Sequence, residues 1–307
     1  MRLDDLRLCA YRKASDLVRA QTSLMNWVRE TSQRGYLHKG DIGHRLFNGC
    51  YGYDKADVFR YWMDDAGEIA AFALLYPHWE SFDLQVAPSL SRSDAHADLI
   101  KYCEEETLRL GQKYGKTIKE WVIEVCEYDA GQRDFLAAAG YSRSKHWFTF
   151  TRHQLDHFPD AALPDGFHFH DASAADVVAL ADVHNHSFTN KWHADSYGEV
   201  FRSPHLEYEI VVAAPDGRFA AFTNVWIDEV NRSLLFEPVG THSDYRRRGL
   251  GKALMAYVLK RMKAEHDLVC AYVCHEPADK NPASGALYAA VGFQALHKIY
   301  EYVKPLN

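Results

Sequence analysis

The residues with the clearest chemical meaning form an arginine- and glycine-rich run, Arg246-Arg247-Arg248-Gly249-Leu250-Gly251. It follows a strand-like run at 233–241 and opens an amphipathic segment at 249–265 that predicts a helix. Glycine lets backbone amides approach a ligand without a Cβ, and a helix N-terminus presents free amides and a positive dipole end. Together with Lys252, the run predicts a pyrophosphate site, with a solvated basic turn as the alternative.

A second motif lies downstream, Asn281-Pro282-Ala283-Ser284-Gly285-Ala286-Leu287-Tyr288, followed by Val291-Gly292-Phe293. Asn281 is a typical N-cap, Pro282 suits the first helical position, and Gly292 suits the residue after the helix end. The motif therefore predicts a helix over 282–291.

The two motifs, in this order and separated by a helix and a strand, closely resemble the GNAT superfamily of acyl-CoA-dependent N-acyltransferases. The family's loop pattern, Gln/Arg-x-x-Gly-x-Gly/Ala, is matched by Arg246, Gly249 and Gly251. Its later pattern is matched by Asn281, Ser284, Tyr288, Gly292 and Phe293. The resemblance extends over about residues 165–307 and implies an acetyltransferase that uses acetyl-CoA as co-substrate.

The resemblance also implies where acetyl-CoA binds. In the family, the strand that corresponds to 233–241 separates from its neighbour, and the pantetheine arm occupies the freed edge. Such an edge tolerates Pro238, which removes a ladder donor. The expected cofactor-binding residues are Val239, Gly240, Thr241, Arg246, Arg247, Arg248, Gly249, Leu250, Gly251, Lys252, Asn281, Ser284 and Tyr288.

Glu237 and Tyr288 are the expected catalytic residues. Glu237 lies in an apolar run, where an unpaired carboxylate is costly, and the resemblance implies a general base; a salt bridge or an edge position is the alternative. The resemblance implies that Tyr288 protonates the departing thiolate, and ordinary core packing is the alternative. His242, just after the strand, is a second candidate for relaying a proton through water, or a surface residue.

The segment 184–205 corresponds in the family to variable helices that shape the acceptor pocket. Phe188 and Trp192 are the expected substrate-binding residues on one wall of that pocket. The segment also carries histidines, His184, His186, His193 and His205. No flanking cysteine or acidic pair completes a ligand set of the usual spacing, so no metal is expected.

The first half of the chain repeats the second half. The segment 67–72 aligns with 217–222, and 135–141 aligns with 287–293, at a nearly constant spacing. A constant spacing over this length indicates duplication of a whole domain. We therefore predict an α/β (α+β) fold of two tandem GNAT domains, 1–157 and 164–307, each a mixed, mostly antiparallel twisted sheet flanked by helices.

The amino-terminal copy lacks the residues expected to do chemistry. At the constant spacing, His96, Leu99 and Leu136 stand in the positions of the first loop arginine, the first loop glycine and the tyrosine. We predict that this copy is degenerate, with a structural or substrate-shaping role, and that the second copy is catalytic. A different manner of ligand binding in the first copy stays open.

Composition excludes several classes of protein. Hydrophobic residues are 47% and charged residues 25%, and no apolar run approaches the ~20 residues of a membrane span. The start lacks the apolar core of a signal peptide, and the six cysteines include no Cys-x-x-Cys pair, which favours the reducing cytoplasm. A net charge of −7 argues against nucleic acid as the main partner.

The sequence thus predicts a cytoplasmic enzyme that moves an acetyl group from acetyl-CoA to an amine of a small-molecule acceptor. One alternative is a CoA-binding regulatory or scaffold protein without turnover. Another is an acyltransferase whose acceptor is a peptide, a thiol, a hydroxyl group or an amino sugar. Pocket residues vary within a fold, so the acceptor, the acyl length and the oligomeric state stay open.

Overall fold

The computed structural model describes residues 2–32, 36–189, 191–202 and 208–306. The chain divides into two compact units, one of Met1–Phe148 with His297–Asn307 and the other of Thr149–Leu296. We call them unit 1 and unit 2. Both have the order of elements expected for a duplicated domain.

The elements of the first repeat are, in chain order, β1 (Arg7–Ala10), α1 (Ala14–Thr31), α2 (Lys39–His44), α3 (Lys55–Val58), β2 (Phe59–Met63), β3 (Ile69–Tyr76), β4 (Ser81–Val86), α4 (Asp94–Lys113), β5 (Glu120–Cys126), α5 (Ala130–Ala138) and β6 (Ser142–His153). Those of the second repeat are β7 (His168–Asp171), α6 (Val177–Ser187), α7 (Ala194–Arg202), β8 (Tyr208–Ala213), β9 (Phe219–Asp228), β10 (Ser233–Thr241), α8 (Leu250–Glu265), β11 (Cys270–His275), α9 (Pro282–Val291) and β12 (Gln294–Pro305).

Each unit contains a mixed sheet flanked by helices, which confirms the predicted fold class. The strand order is β1-β2-β3-β4-β5-β12 in unit 1 and β6-β11-β10-β9-β8-β7 in unit 2. Of the pairings within the units, β4 with β5 and β10 with β11 are parallel, and the others are antiparallel where the structure describes them.

The closing strand of each unit comes from the other repeat. Residues 149–153 of β6 pair with β11 in unit 2, whereas residues 299–305 of β12 pair with β5 in unit 1. The predicted domains, 1–157 and 164–307, differ from the two units at these ends. An alternating pattern predicts a strand but not the strand with which it pairs. Domain boundaries predicted from sequence therefore assign each closing strand to its own repeat.

The sheet of unit 2 has a packed core on each face. Ile210 and Val212 of β8 pack with the apolar stripe of α8, whereas the alternate residues Val211 and Ala213 pack with α6 and α7. The stripe of α8 is the one expected from helical spacing, with buried Leu250, Leu254, Val258 and Met262. Burial on alternating faces thus fixes which β8 and β9 side chains turn toward α6 and α7.

Candidate active site

The predicted phosphate-binding residues lie on the loop between β10 and α8. After Thr241 the chain makes a 3-10 turn over Ser243–Tyr245 and reaches Gly249, the residue that precedes α8. The Tyr245 hydroxyl donates a hydrogen bond to Asp216 Oδ2 at 2.7 Å, and the ring contacts the guanidinium groups of Arg218 and Arg248. The loop is therefore held against the turn between β8 and β9.

Gly249 leaves open space at the start of α8. Its backbone is left-handed, with φ +79°, and a Cβ at this position would meet no protein atom within 4 Å. The first N–H groups of a helix have no partner within the helix, so they are available to an anion in that space. We call this open space in front of Gly249 the cradle, and it is where the predicted phosphate group would bind.

The other two glycines of the site permit close packing of protein atoms. A Cβ on Gly240 would collide with Phe222, and a Cβ on Gly251 would lie 3.2 Å from Thr241 Oγ1 and 3.4 Å from Leu287. Leu250 is likewise buried in the core, so only its backbone is placed to contact a ligand.

The three arginines of the loop have different surroundings. Arg246 donates to the backbone oxygens of Thr241 at 3.2 Å and Ser187 at 2.8 Å, which ties the loop to the end of α6. Arg248 donates to Asp244 O at 3.4 Å. Arg247 and Lys252 are exposed. Arg246 therefore shapes the loop, and the exposed cations contribute positive charge around it.

The strands β10 and β11 separate beside this loop. Their parallel pairing runs only from Ser233–Cys270 to Leu235–Tyr272, although β10 continues to Thr241. On its other side β10 stays paired with β9, with a register shift between Phe236 and Val239. Among the described residues, the β11-facing edge of 239–241 thus has no ladder partner, and the expected separation of the strands is present.

Tyr288 lies on α9 close to this opening and is 6% exposed. Burial, and then the neighbouring Glu237 and Cys274, raise the pKa of Tyr288 above its usual value of 10. The side chain therefore keeps its proton at neutral pH. Because the charge of Glu237 affects Tyr288, the structure brings the two predicted catalytic residues within electrostatic reach of each other.

Asn281 and Ser284 form the cap of α9. Asn281 Oδ1 accepts a hydrogen bond from the Ser284 N–H at 3.3 Å, and the Ser284 hydroxyl donates to Asn281 O at 3.2 Å. The predicted N-cap is confirmed. Contact of these residues with acetyl-CoA stays a prediction.

Phe188 and Trp192 lie together around a buried histidine. The Trp192 ring stacks on His184 at 3.9 Å between centroids, and the Phe188 ring lies 5.0 Å from the same imidazole. The side chain of Asn185 holds the backbone of Trp192. Its oxygen accepts a hydrogen bond from the Trp192 backbone N–H at 2.8 Å, and its amide nitrogen donates to the Trp192 carbonyl oxygen at 3.0 Å. Burial lowers the pKa of His184 to about 4, so this wall is uncharged.

Three side chains come together that sequence reasoning did not connect. Asp182, His186 and His242 offer possible ligand atoms within 4.8 Å of one another, and the carboxylate lies one helical turn before His186. However, His242 Nδ1 accepts the Asp244 N–H at 3.1 Å, so its neutral ring carries the hydrogen on Nε2 and offers no free lone pair. His193 is exposed, and His205 lies outside the described residues.

Sequence reasoning also missed a buried polar set, Tyr197, Glu209 and Asn224. The available signal was Glu209, a charged residue in an otherwise apolar strand and two positions before the inward-facing Val211.

Residues 177–293 match the family model described as "Acetyltransferase (GNAT) family". This segment therefore belongs to the GNAT acetyltransferase family. The family transfers acyl groups from acyl-CoA. Along its full length the chain is similar to several solved structures, and at these low sequence identities the likeness shows the fold alone.

The similar structures include a tandem GNAT protein from the clavulanic acid biosynthesis pathway, with 16% identity, a TM-score of 0.65 and coverage of 98% of each chain. A GCN5-related N-acetyltransferase from Sphaerobacter thermophilus has 15% identity and a TM-score of 0.62, with coverage of 99% of this chain and 97% of that chain. A GNAT-family acetyltransferase from Colwellia psychrerythraea has 12% identity, a TM-score of 0.58 and coverage of 97% and 99%. No curated protein sequence matches the chain.

The amino-terminal repeat differs at the corresponding loop. The constant spacing aligns His96 and Leu99 with the loop, whereas the structure places both inside α4, and Ser93 precedes the helix. The Ser93 hydroxyl accepts the His96 N–H at 3.3 Å, so the repeat caps its helix with a side chain. The spacing failed here because it changes before this loop: β4 has 6 residues, whereas β10 has 9.

Unit 1 nevertheless contains a cavity of about 830 Å³ beside β4 and β5, which share the single register pair Ser81–Val122. Its lining includes the acidic residues Glu30, Asp83, Glu124 and Asp129 and also Arg92. Arg45 pairs with Asp83 at 2.8 Å, and Arg92 pairs with Asp129 at 3.5 Å. Burial raises the pKa of Glu124 to about 7. The cavity therefore differs from the glycine loop of unit 2 in its residues.

Within the described residues, no helix has the length and apolar character needed to cross a membrane. All six cysteines are free thiols.

Proposed function

We propose that unit 2 transfers an acetyl group from acetyl-CoA to an amine of a small-molecule acceptor. The observation that carries this proposal is the open edge of β10. It extends from the Gly249 cradle toward Glu237, whose charge affects the buried phenol of Tyr288.

In this proposal the loop holds the pyrophosphate. The backbone amides at the start of α8 bind the phosphates, and the exposed Arg247 and Lys252 add positive charge. Val239, Gly240 and Thr241 offer backbone groups along the open edge, as expected for the pantetheine arm. Acetyl-CoA supplies the acetyl thioester.

The two catalytic side chains handle protons. An aliphatic ammonium has a pKa of about 10.4, so the acceptor must lose a proton before its nitrogen attacks. Glu237 takes that proton, directly or through water. Backbone N–H groups near Val239 polarise the carbonyl oxygen. Tyr288, whose raised pKa preserves its proton, donates that proton to the leaving sulfur.

The proposal is tested by turnover over a panel of acceptors. Purified protein is supplied with acetyl-CoA and, separately, with amines, amino sugars, peptides, thiols and alcohols. Release of the CoA thiol is followed, and products are identified by mass spectrometry. We expect amine-dependent release and an N-acetyl product. Tight acetyl-CoA binding without turnover would support the regulatory alternative, and an S- or O-acetyl product would replace the amine with another acceptor.

A further inference from the structure

Behind the aromatic wall of Phe188 and Trp192 lies a set of buried polar side chains, Tyr197 of α7, Glu209 of β8 and Asn224 of β9. Their exposed fractions are 0%, 3% and 0%. Five polar atoms of these side chains have no hydrogen-bond partner within the described residues. They are both carboxylate oxygens of Glu209, both polar side-chain atoms of Asn224 and the hydroxyl of Tyr197. We call these three residues the buried polar set.

The three side chains lie on the same face of the unit 2 sheet or pack against that face. Glu209 and Asn224 are directly opposite each other in the antiparallel pair of β8 and β9. Both lie two residues from a side chain, Val211 or Phe222, that packs in the same apolar cluster as Tyr197. Since alternate residues share a face, Glu209 and Asn224 face α7. The charge of Glu209 also raises the pKa of Tyr197, after burial itself.

Leaving such groups unsatisfied is expensive. A buried donor or acceptor without a partner costs about 1–3 kcal/mol, and more when it is charged. Burial alone raises the pKa of Glu209 well above its usual value, with no neighbouring cation to offset it among the described residues. A fold that retains three such groups side by side favours a ligand that satisfies them.

Along the strand direction, the buried polar set lies at the same position in the sheet as Glu237. Thr223 pairs with Val239 and Val225 pairs with Phe236, so Asn224 lies opposite the register shift that contains Glu237. Glu209 is one strand further away. With neighbouring strands about 4.8 Å apart, the backbones of Glu209 and Glu237 are about 10 Å apart.

Aromatic residues connect the set to the rest of the proposed site. The Trp192 ring lies 5.3 Å from the Tyr197 ring. On the other side, Trp226, two residues after Asn224, donates its indole N–H to Glu237 O at 3.2 Å. The set therefore lies between the expected acceptor wall and the proposed base.

We propose that Tyr197, Glu209 and Asn224 bind a second cationic group of the acceptor, an ammonium, while its reacting amine lies at Glu237. This inference rests on the function proposed above for unit 2. An ammonium has three N–H donors, and the set offers a carboxylate, an amide oxygen and a phenol oxygen as acceptors. An apolar group would leave all three side chains unsatisfied.

The charge balance has a measurable consequence. Burial raises the pKa of Glu209 and so favours its protonated form in the empty site, whereas an incoming ammonium favours the ionised carboxylate. Binding therefore releases a proton from Glu209. The other titratable group of the set, Tyr197, has a raised pKa and stays protonated throughout.

The test compares monoamines with diamines. Initial rates are measured for 1-aminobutane, 1-aminohexane and the diamines from 1,3-diaminopropane to 1,8-diaminooctane, with saturating acetyl-CoA. We expect the best diamine to exceed the matched monoamine in kcat/KM by about tenfold or more, as a charged hydrogen bond provides. Glu209→Gln should reduce this ratio toward one, mainly through KM. The control Glu265→Gln, on the exposed side of α8, should keep the wild-type ratio.

Calorimetry separates failure of this inference from failure of the proposed function. Acetyl-CoA binding and 1,6-diaminohexane binding are measured independently, the latter in buffers of different ionisation enthalpy to count released protons. Diamine binding with proton release in wild type, and without it in Glu209→Gln, supports the site even if no amine is acetylated. Tyr197→Phe, which keeps the ring, should weaken binding as a second variant. Wild-type protein that binds diamines no better than monoamines, or Glu209→Gln with an unchanged preference, would overturn the inference.

Discussion

At the scale of single residues, the proposed reaction needs two side chains in opposite protonation states. Glu237 must lose its proton and Tyr288 must keep its own. The structure favours this division, because Tyr288 is buried and the charge of Glu237 further raises its pKa. Each change of one of these side chains has a distinct expected effect on rate.

Replacing Tyr288 by Phe keeps the ring and removes the proton. We expect kcat to fall about 10²-fold or more, as for loss of a general acid, with acetyl-CoA affinity nearly unchanged. Because the pKa of Tyr288 lies above 10, wild-type activity should show no loss from its ionisation at lower pH. Steady-state kinetics and calorimetry measure both. Tyr257→Phe, at a ring that stacks on Phe169, is the matched control. Wild-type kcat in Tyr288→Phe would remove the acid role.

Glu237→Gln tests the base. A base must be deprotonated to act, so the wild-type rate should decline as pH falls through the pKa of that group. We expect the variant to lose most of the rate and this acidic limb. The profile of kcat/KM against pH is the measurement. If the limb persists unchanged, the role passes to another group, with a water chain as the remaining candidate, because His242 Nδ1 is occupied by the Asp244 N–H.

Gly249→Ala tests the phosphate cradle. The Cβ would enter the open space in front of α8 and also meet the left-handed backbone, so acetyl-CoA affinity should fall about tenfold or more. Gly217 provides a matched control, because its φ is +82° and a Cβ there also meets no atom within 4 Å. Gly217→Ala carries the same backbone strain away from the loop. Equal acetyl-CoA affinity in the two folded variants, by calorimetry, would contradict the cradle.

At the scale of elements, the site depends on where strands and helices end. The separation of β10 from β11 after Leu235 creates the open edge, and α8 and α9 each begin beside it. The two helix starts differ. α8 begins at a glycine with no side-chain cap, whereas α9 begins with the Asn281 cap. The first is therefore available to a ligand, and the second is satisfied by the chain.

The cap of α9 predicts a stability effect. Asn281→Ala removes the acceptor of the Ser284 N–H and should lower the free energy of unfolding by about 1 kcal/mol. Asn281→Asp keeps an acceptor and should restore most of the loss. Denaturant unfolding checks both variants. A loss of acetyl-CoA affinity in the stable Asp variant would show that Asn281 also contacts the cofactor, and full stability of the Ala variant would contradict the cap.

At the scale of the whole molecule, the two repeats share a fold but differ where a pyrophosphate would bind. Unit 2 presents Arg247, Arg248 and Lys252 around a glycine. Unit 1 has no glycine at the corresponding helix start, and a serine hydroxyl caps that helix. The cap leaves fewer free N–H groups for a phosphate.

We therefore expect one tight acetyl-CoA per chain. Equilibrium titration of the purified full-length protein counts the sites, and the Gly249→Ala variant identifies which repeat holds them. A second site of equal affinity would mean that unit 1 binds acetyl-CoA in another manner. Activity that survives Gly249→Ala combined with Tyr288→Phe would place catalysis outside unit 2.

Much of the fold follows from local patterns. The spacing of Leu250, Leu254 and Val258 predicts α8, and Asn281, Pro282 and Gly292 mark both ends of α9, because caps and helical periods act over a few residues. The repeat likewise predicts two domains, since duplicated segments retain their order. The loop glycines and Tyr288 were found in the same way, from short motifs resembling a known family.

Only the tertiary structure decided which distant residues meet. It paired Glu209 with Asn224, brought Asp182 and His186 to His242, and gave each unit a closing strand from the other repeat. It also showed that α4 begins at Asp94, so that Leu99 lies inside the helix and not on a loop. Motifs and periods are local in the chain, whereas these contacts depend on strand register and on burial, which arise when the sheet and its helices pack together.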